Sequence, residues 1–166
     1  MNTSNLIITT IVGIVAIALF VLGIQFLSKK INYEEEGKLK TAFVVWTGFM
    51  IAGFAMFLSS SIKAISNALE ILTEANSDDS TLLVIEKIAI FTGFTFVGFA
   101  MIYFITQFVT AIIFGKRTNN IEIERDNYTY FIFKGALLLA LTFSPWNVFE
   151  NVLRLFSPVV DTPFYH

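Results

Sequence analysis

The sequence contains no cysteine and a single histidine, His166, among its 166 residues. The absence of cysteine excludes disulfides, thiolate nucleophiles and iron–sulfur clusters held by this chain. Because the one histidine is the last residue of this sequence, we expect neither a Ser–His triad nor a histidine-based zinc site. The apolar segments described below carry no acidic residue either. We therefore expect no catalytic, cofactor or metal site, and we expect that the protein is not an enzyme.

Charge is the second scarcity. Only 14% of the residues are charged, whereas an average soluble domain carries about 25%. The charged residues are clustered, which leaves apolar runs of twenty residues or more. About 20 helical residues cross a hydrocarbon core of about 30 Å, so such runs indicate transmembrane helices. The net charge of -2 gives no reason to expect a nucleic-acid partner.

We predict an all-α membrane protein in which residues 1–166 form a single integral membrane domain. The architecture is a four-transmembrane-helix antiparallel bundle with spans at residues 5–28, 41–62, 88–115 and 127–144. Apolar residues continue at three- and four-residue steps from Ile62 to Leu72, so the second helix should project beyond the bilayer. The segment NSDDS, residues 76–80, is the turn signal that ends it.

The segment SPWNVFENVLRLFSP follows the fourth span. In residues 145–157 one helical face carries a predicted interfacial anchor, made of Trp146, Phe149, Leu153 and Phe156. We favour a bend after Ser144 and an amphipathic helix lying in the interface. The alternative is a fourth span that continues across a kink at Pro145.

The loop between the first two predicted spans, KKINYEEEGKLK at residues 29–40, helps to predict which side of the membrane each loop occupies. Basic residues concentrate in this loop and in loop 116–126, while the intervening loop is mainly acidic. By the positive-inside rule both basic loops are cytoplasmic and both termini are outside, on the periplasmic side. We interpret residues 29–40 as a solvated connector rather than a functional loop, with the EEE run able to start the second helix.

Lys134 is a possible intramembrane charge, because it is the one charge well inside an apolar stretch. Such a residue is a functional candidate, but it lies about two turns from the cytoplasmic end of its helix. We favour snorkelling to that interface. Amides and hydroxyls in the spans, such as Gln25, Gln107 and several threonines, are expected to bond to backbone carbonyls or across helices rather than to line a polar path.

Small residues spaced four apart allow helix backbones to approach closely in membranes. The predicted helix-packing residues are Gly48, Ala52, Ala89, Gly93, Ala136 and Ala140. They either close the monomer or join subunits, and packing inside the monomer is favoured. A shift of 87 residues also aligns LSKKIN with FGKRTN and Gly48 with Gly135, which leaves open a duplication of two tandem helical hairpins.

The segment EEEGKLKTAFVVWTGFMIAGFAMFLSSSI, residues 34–62, resembles the bacterial inner-membrane family catalogued as domain of unknown function 350. The resemblance implies tandem two-helix units with an acidic–Gly/Asn loop before each second helix. The matching residues are Glu36, Gly37, Ala42, Gly48, Gly53 and Ala55, with an echo in Asp126, Asn127 and Gly135. The long second helix and the C-terminal segment depart from that pattern, and the family implies no activity.

These observations predict a non-catalytic integral membrane subunit or scaffold of an inner-membrane complex. Its partners would be the lipid bilayer and other membrane proteins or copies of itself. The outer segments 63–80 and 145–166, including the tail VVDTPFYH, would supply contacts. The alternative is a homo-oligomeric pore or small transporter, in which Lys134, Gln25 or Gln107 would lie near a water-filled axis.

Overall fold

A computed structural model describes residues 3–29, 31, 33–35, 37–74, 80–115 and 117–158. Within this part of the chain, six helices and one two-stranded antiparallel hairpin follow in the order α1 (Thr3–Ser28), β1 (Glu34–Glu35), β2 (Lys38–Leu39), α2 (Thr41–Glu74), α3 (Ser80–Phe114), α4 (Asn119–Glu124), α5 (Tyr128–Phe143) and α6 (Trp146–Leu155). Helices α1, α2 and α3 are long and apolar enough to cross a membrane, and α5 with α6 adds a fourth if that bent pair is one span. The prediction of a helical membrane protein agrees with this fold.

Helix α2 is the centre of the bundle. It packs against α1 on one side and against α3 and α5 on others, whereas α1 packs mainly on α2 alone. Aromatic rings fill the space between these helices, and Phe54, Phe91 and Phe131 are fully buried. Phe20 is the main aromatic contribution of α1, with its ring stacked on Phe54 at 4.1 Å and edge-on to Phe99 at 5.2 Å.

Several boundaries follow the prediction and others do not. The second helix does continue past the apolar run, to Glu74, as its periodicity predicted. The expectation that the EEE run starts this helix is wrong, because Glu34 and Glu35 form β1 and the helix begins at Thr41. The hairpin turn contains Gly37 at φ +77°, a conformation that glycine adopts at little cost.

The loops contain two further differences from the prediction. Helix α3 begins at Ser80, eight residues before the predicted start at residue 88, and α4 forms within a loop for which no helix was predicted. The remaining residues of the NSDDS turn, 76–79, lie outside the described residues, as do Lys30, Glu36, Lys116 and the tail at 159–166.

The chain bends by 46° between α5 and α6, while the position of α6 in the interface stays a prediction. The predicted anchor face of α6, however, packs largely against protein. Phe149 and Leu153 are buried, and the Phe149 ring lies edge-on to Phe57 at 4.5 Å. Phe156 contacts Phe94 at 4.9 Å, and Trp146 stacks on Phe143 at 6.4 Å. The apolar side of α6 therefore helps to close the end of the bundle.

The two glycines that the proposed duplication aligns have different surroundings. Gly48 is exposed and a Cβ atom there would have open space, whereas Gly135 is buried directly against Phe49. The two hairpins are thus not used alike at this position, and the duplication stays a prediction.

Candidate functional site

Lys134 is a charged residue in the interior of the bundle. Its side chain is fully buried. The ammonium group donates hydrogen bonds to Gln107 Oε1 on α3 and to Asn119 Oδ1 on α4, both at 2.5 Å. It also lies 5.0 Å from the centre of the Trp46 ring and 5.5 Å from that of Tyr130, within the range of cation–π attraction. We call these five residues the Lys134 cluster.

The prediction that Lys134 snorkels is therefore wrong. The side chain extends toward the loop between α3 and α5, as the tilt of helical side chains requires, but it ends on protein groups rather than in water. Helix α4 folds over this end of the bundle and supplies Asn119, which gives the ammonium group a partner before it reaches solvent. The sequence contains no periodic signal for a helix of six residues.

Two long-range hydrogen bonds hold α4 in place. Lys40, at the end of the β-hairpin segment, donates from Nζ to the backbone oxygen of Glu124 at 2.7 Å. Asp126 accepts from the backbone N–H of Ala42 at 2.7 Å and so satisfies a free donor in the first turn of α2. Residues 29–40 and 116–126 therefore meet at one end of the bundle, where they position Asn119.

The charge of Lys134 is not neutralised by a carboxylate. Among the described residues no acidic group lies within ion-pair distance of its ammonium group, and its polar partners are two neutral amides. The buried Glu122 of α4 is already engaged, since it accepts from Asn127 Nδ2 at 2.6 Å and pairs with Arg117 at 3.5 Å. A buried cation held only by neutral groups keeps an electrostatic preference for a negative charge.

A cavity of about 190 Å³ adjoins this cluster, and we call it the inner cavity. Trp46 and Asn119 belong to both the cluster and the cavity wall. Tyr103 also lines the cavity, and its phenol interacts with the side chains of Gln107 and Asn119. The other lining residues are Ile24, Leu27, Ser28, Ile31, Phe43, Thr47, Met50, Asn120 and Ile123.

The predicted behaviour of the hydroxyl groups is largely confirmed. Thr95, Thr106 and Thr110 are buried, and each donates to the backbone oxygen four residues earlier at 2.6–3.0 Å. Thr47 and Thr92 are exceptions, because their buried hydroxyl oxygens have no hydrogen-bond partner. Of the two, Thr47 lines the inner cavity. Gln25 is exposed on α1, far in the chain from the Lys134 cluster.

The six predicted helix-packing residues are all exposed in this structure, so the favoured option of packing inside the monomer is wrong. They are Gly48, Ala52, Ala89, Gly93, Ala136 and Ala140. The close approaches inside the bundle occur at other glycines, where an added Cβ atom would collide with a neighbouring helix. A Cβ atom at Gly13 would lie 2.9 Å from Ile62, and one at Gly53 would lie 2.7 Å from Leu138. A Cβ atom at Gly135 would collide with Phe49.

Four of the exposed small residues lie on the neighbouring helices α2 and α5. Ala52 shares a surface cavity of about 420 Å³ with Phe143 and Trp146. Gly48 lies one helical turn before Ala52 on α2, and Ala136 and Ala140 lie on the same side of α5 as Phe143, at seven- and three-residue steps. Since α2 and α5 pack side by side, helical spacing predicts that these residues continue the edge of that cavity, and we call the cavity together with them the α2–α5 groove.

No group of three or more His, Cys, Asp or Glu side chains suited to a metal ion occurs among the described residues. Comparison of the chain with family models, with curated proteins and with solved structures finds no match. The resemblance to the family of domain of unknown function 350 stays a prediction. The Lys134 cluster, the inner cavity and the α2–α5 groove are the candidate functional features of the described residues.

Proposed function

We propose that this protein is a non-catalytic integral membrane subunit or scaffold, and that its α2–α5 groove receives a transmembrane helix of a partner protein. Two observations carry this proposal: the exposure of Gly48, Ala52, Ala136 and Ala140 on two neighbouring helices, and the surface cavity that Ala52 lines between these helices. Small side chains let two helix backbones come close enough to gain van der Waals contact, which drives association where lipid removes the hydrophobic effect.

The groove is not needed for packing inside the chain. A Cβ atom added at Gly48 would meet nothing within 4 Å. By contrast, the glycines at which the helices of this chain approach each other would each collide with a neighbour. A second strip of small residues on the outside is consistent with a further helix–helix contact made by another chain.

The membrane topology is part of the same proposal. It has four spans, of which α5 is the last and α6 is a separate segment near the interface, with both termini outside and loops 29–40 and 116–126 in the cytoplasm. The contact of Lys40 with Glu124 supports it, since two loops on one side of a membrane are able to touch. A bacterial inner membrane is proposed from the resemblance alone.

The outer ends of the bundle are further candidate contacts. Helix α2 projects beyond its apolar run from about residue 63 to Glu74, and α6 lies against it through buried Leu153. We propose that these segments, with α6 near the interface, contribute to partner binding outside the bilayer. No comparable observation favours the pore or small transporter, because Lys134 and Gln107 bond to each other inside the bundle.

The test is the mass and composition of the particle extracted in gentle detergent. The wild-type chain is compared with the double variant Gly48→Leu, Ala52→Leu, which fills the groove, and with Gly23→Leu, an exposed glycine of α1 whose substitution also meets open space. We expect a heteromeric particle that the double variant loses and Gly23→Leu retains. Equal particles for all three chains would refute the role of the groove.

The composition distinguishes the remaining options. A second protein in the wild-type particle would support the subunit, and its identity would name the process. A ring of this chain alone would favour the homo-oligomeric alternative. A monomer in the wild-type sample and in cross-linked membranes would contradict both.

A further inference from the structure

We propose that the inner cavity is a binding site for the phosphate group of an anionic ligand, with Lys134 as the charge that attracts it. This inference does not depend on the α2–α5 groove. It rests on three observations: a cavity at the loop end of the bundle, a buried cation bonded to Asn119 in its wall, and a Thr47 hydroxyl in that wall with no partner in the protein.

The polar wall of the cavity offers mainly donors. Asn119 lines the cavity and uses its side-chain oxygen to accept from Lys134, so its remaining polar group is an N–H₂ donor, which lies beside the Tyr103 phenol. Tyr103 and Thr47 add hydroxyl groups, and the Thr47 hydroxyl has no partner in the protein. Such a set fits a ligand that is rich in acceptor oxygens, and phosphate provides several on one atom.

The charge balance favours the same class of ligand. Lys134 has no carboxylate partner among the described residues, and Asn119 connects its ammonium group directly to the cavity. An anion on the other side of this one side chain would be attracted through protein rather than through bulk water, where the interaction would be much weaker. The neutral amides alone leave that electrostatic stabilisation unused.

The remaining wall indicates where the phosphate comes from. Ile24 and Leu27 at the end of α1 and Phe43 and Met50 on α2 form an apolar side of the cavity. An anionic phospholipid would place its phosphate near Asn119 and Thr47 and its chains along this apolar side. Free inorganic phosphate has the same oxygens but no use for the apolar wall, so the two sources are experimentally separable.

Native mass spectrometry of the purified full-length chain in detergent tests the proposal. The probes are phosphatidylglycerol, diacylglycerol with identical chains, and inorganic phosphate. We expect phosphatidylglycerol to remain bound and diacylglycerol to dissociate. Because Lys134 attracts the phosphate across Asn119, Lys134→Met should weaken binding roughly tenfold to thirtyfold, the effect of a charge about 7–10 Å away at an effective dielectric constant of about 20. Lys63→Met, an exposed lysine on the outward part of α2, is the matched control and should leave binding unchanged.

A second variant keeps the test decisive if Lys134→Met does not fold. Thr47→Leu fills the cavity with a larger apolar side chain, while Thr47 makes no hydrogen bond to the Lys134 cluster. We expect it to abolish lipid binding in a folded chain. Competition by inorganic phosphate would support the proposal with the free anion as ligand. Equal binding of phosphatidylglycerol and diacylglycerol, or unchanged binding by Thr47→Leu, would overturn it, as would no binding of any probe.

Discussion

Replacing Gly135 with alanine should destabilise the bundle, although alanine is the better helix former. A Cβ atom at this position would overlap the Phe49 side chain, including Phe49 Cβ at 2.8 Å. Since that atom is fixed to the backbone of α2, a change of rotamer does not remove the whole collision. Helices α2 and α5 must separate, or the neighbouring side chains must leave their preferred rotamers.

The magnitude follows from a comparison with Gly48→Ala. Each substitution gains about 1 kcal/mol of intrinsic helix preference, and this gain cancels when the two variants are compared. What remains is the overpacking at Gly135, which costs about 1–3 kcal/mol in a well-packed core. Gly48→Ala adds its Cβ atom to open space and carries no such cost. The difference in unfolding free energy between the variants should therefore be about 1–3 kcal/mol.

The assay is reversible unfolding of the isolated chain in mixed micelles, titrated with a denaturing detergent and followed by circular dichroism. Gly93→Ala serves as a second control, because this exposed glycine also faces open space. A third variant, Phe49→Leu with Gly135→Ala, should recover part of the loss if the Phe49 ring is the obstacle. Equal stabilities for Gly135→Ala and Gly48→Ala would refute the close approach of α2 and α5.

Three further predictions concern a helix cap, two hydroxyl groups and the topology. Asp126→Ala removes the acceptor for the Ala42 N–H and should lower the unfolding free energy by about 1 kcal/mol. The control Asp126→Asn keeps an acceptor, and asparagine tolerates the φ of +49° at this position. An equal loss of stability in both variants would contradict the role of Asp126 as a cap. Thr95→Val removes hydrogen bonds to Ser61 Oγ and to the Phe91 oxygen and should lower the unfolding free energy by about 1 kcal/mol. Thr47→Val removes a hydroxyl without a partner and should leave stability unchanged or raise it. A lower thermal stability of Thr47→Val than of Thr95→Val would show that Thr47 has a partner. Because the chain has no cysteine, Glu35→Cys and Asn67→Cys each give a single thiol, and an impermeant maleimide should label Asn67→Cys in intact cells but Glu35→Cys only after permeabilisation. The opposite pattern would invert the topology, and labelling of both in intact cells would refute the spanning arrangement between them.

The long helices and the bend were predictable because each depends on local sequence. Apolar runs of sufficient length predicted α1, the first part of α2 and most of α3. Apolar residues at three- and four-residue steps predicted that α2 continues beyond its apolar run, and it ends at Glu74. Ser144 and Pro145 marked the junction of α5 and α6, where proline lacks the N–H that would continue the helical ladder. The hairpin at Glu34–Leu39 was missed, since three glutamates suit a helix start as well as an exposed turn.

The buried faces were not predictable in the same way. In α1 nearly every residue is apolar, so hydrophobicity does not distinguish the side against α2 from the side away from it. Side-chain size is only a partial guide, because the buried residues Asn5, Thr9, Gly13, Ala16 and Ser28 are small or polar but buried Ile24 is not. Side-chain size also fails to identify the buried face of α2. Gly48, Ala52 and Gly53 are all small, and only the position of α5 decides that Gly53 is the buried one.

The sequence by itself determined that this chain forms long apolar helices and that Lys134 is the exceptional charge among them. Only the tertiary structure decided the surroundings of that charge. Its partners Gln107 and Asn119 are 27 and 15 residues away in the chain, and Asn119 is available because two loops fold together at one end of the bundle. A buried cation is stabilised by whatever polar groups the packing brings within hydrogen-bond distance, and those groups are a property of helix placement rather than of local pattern.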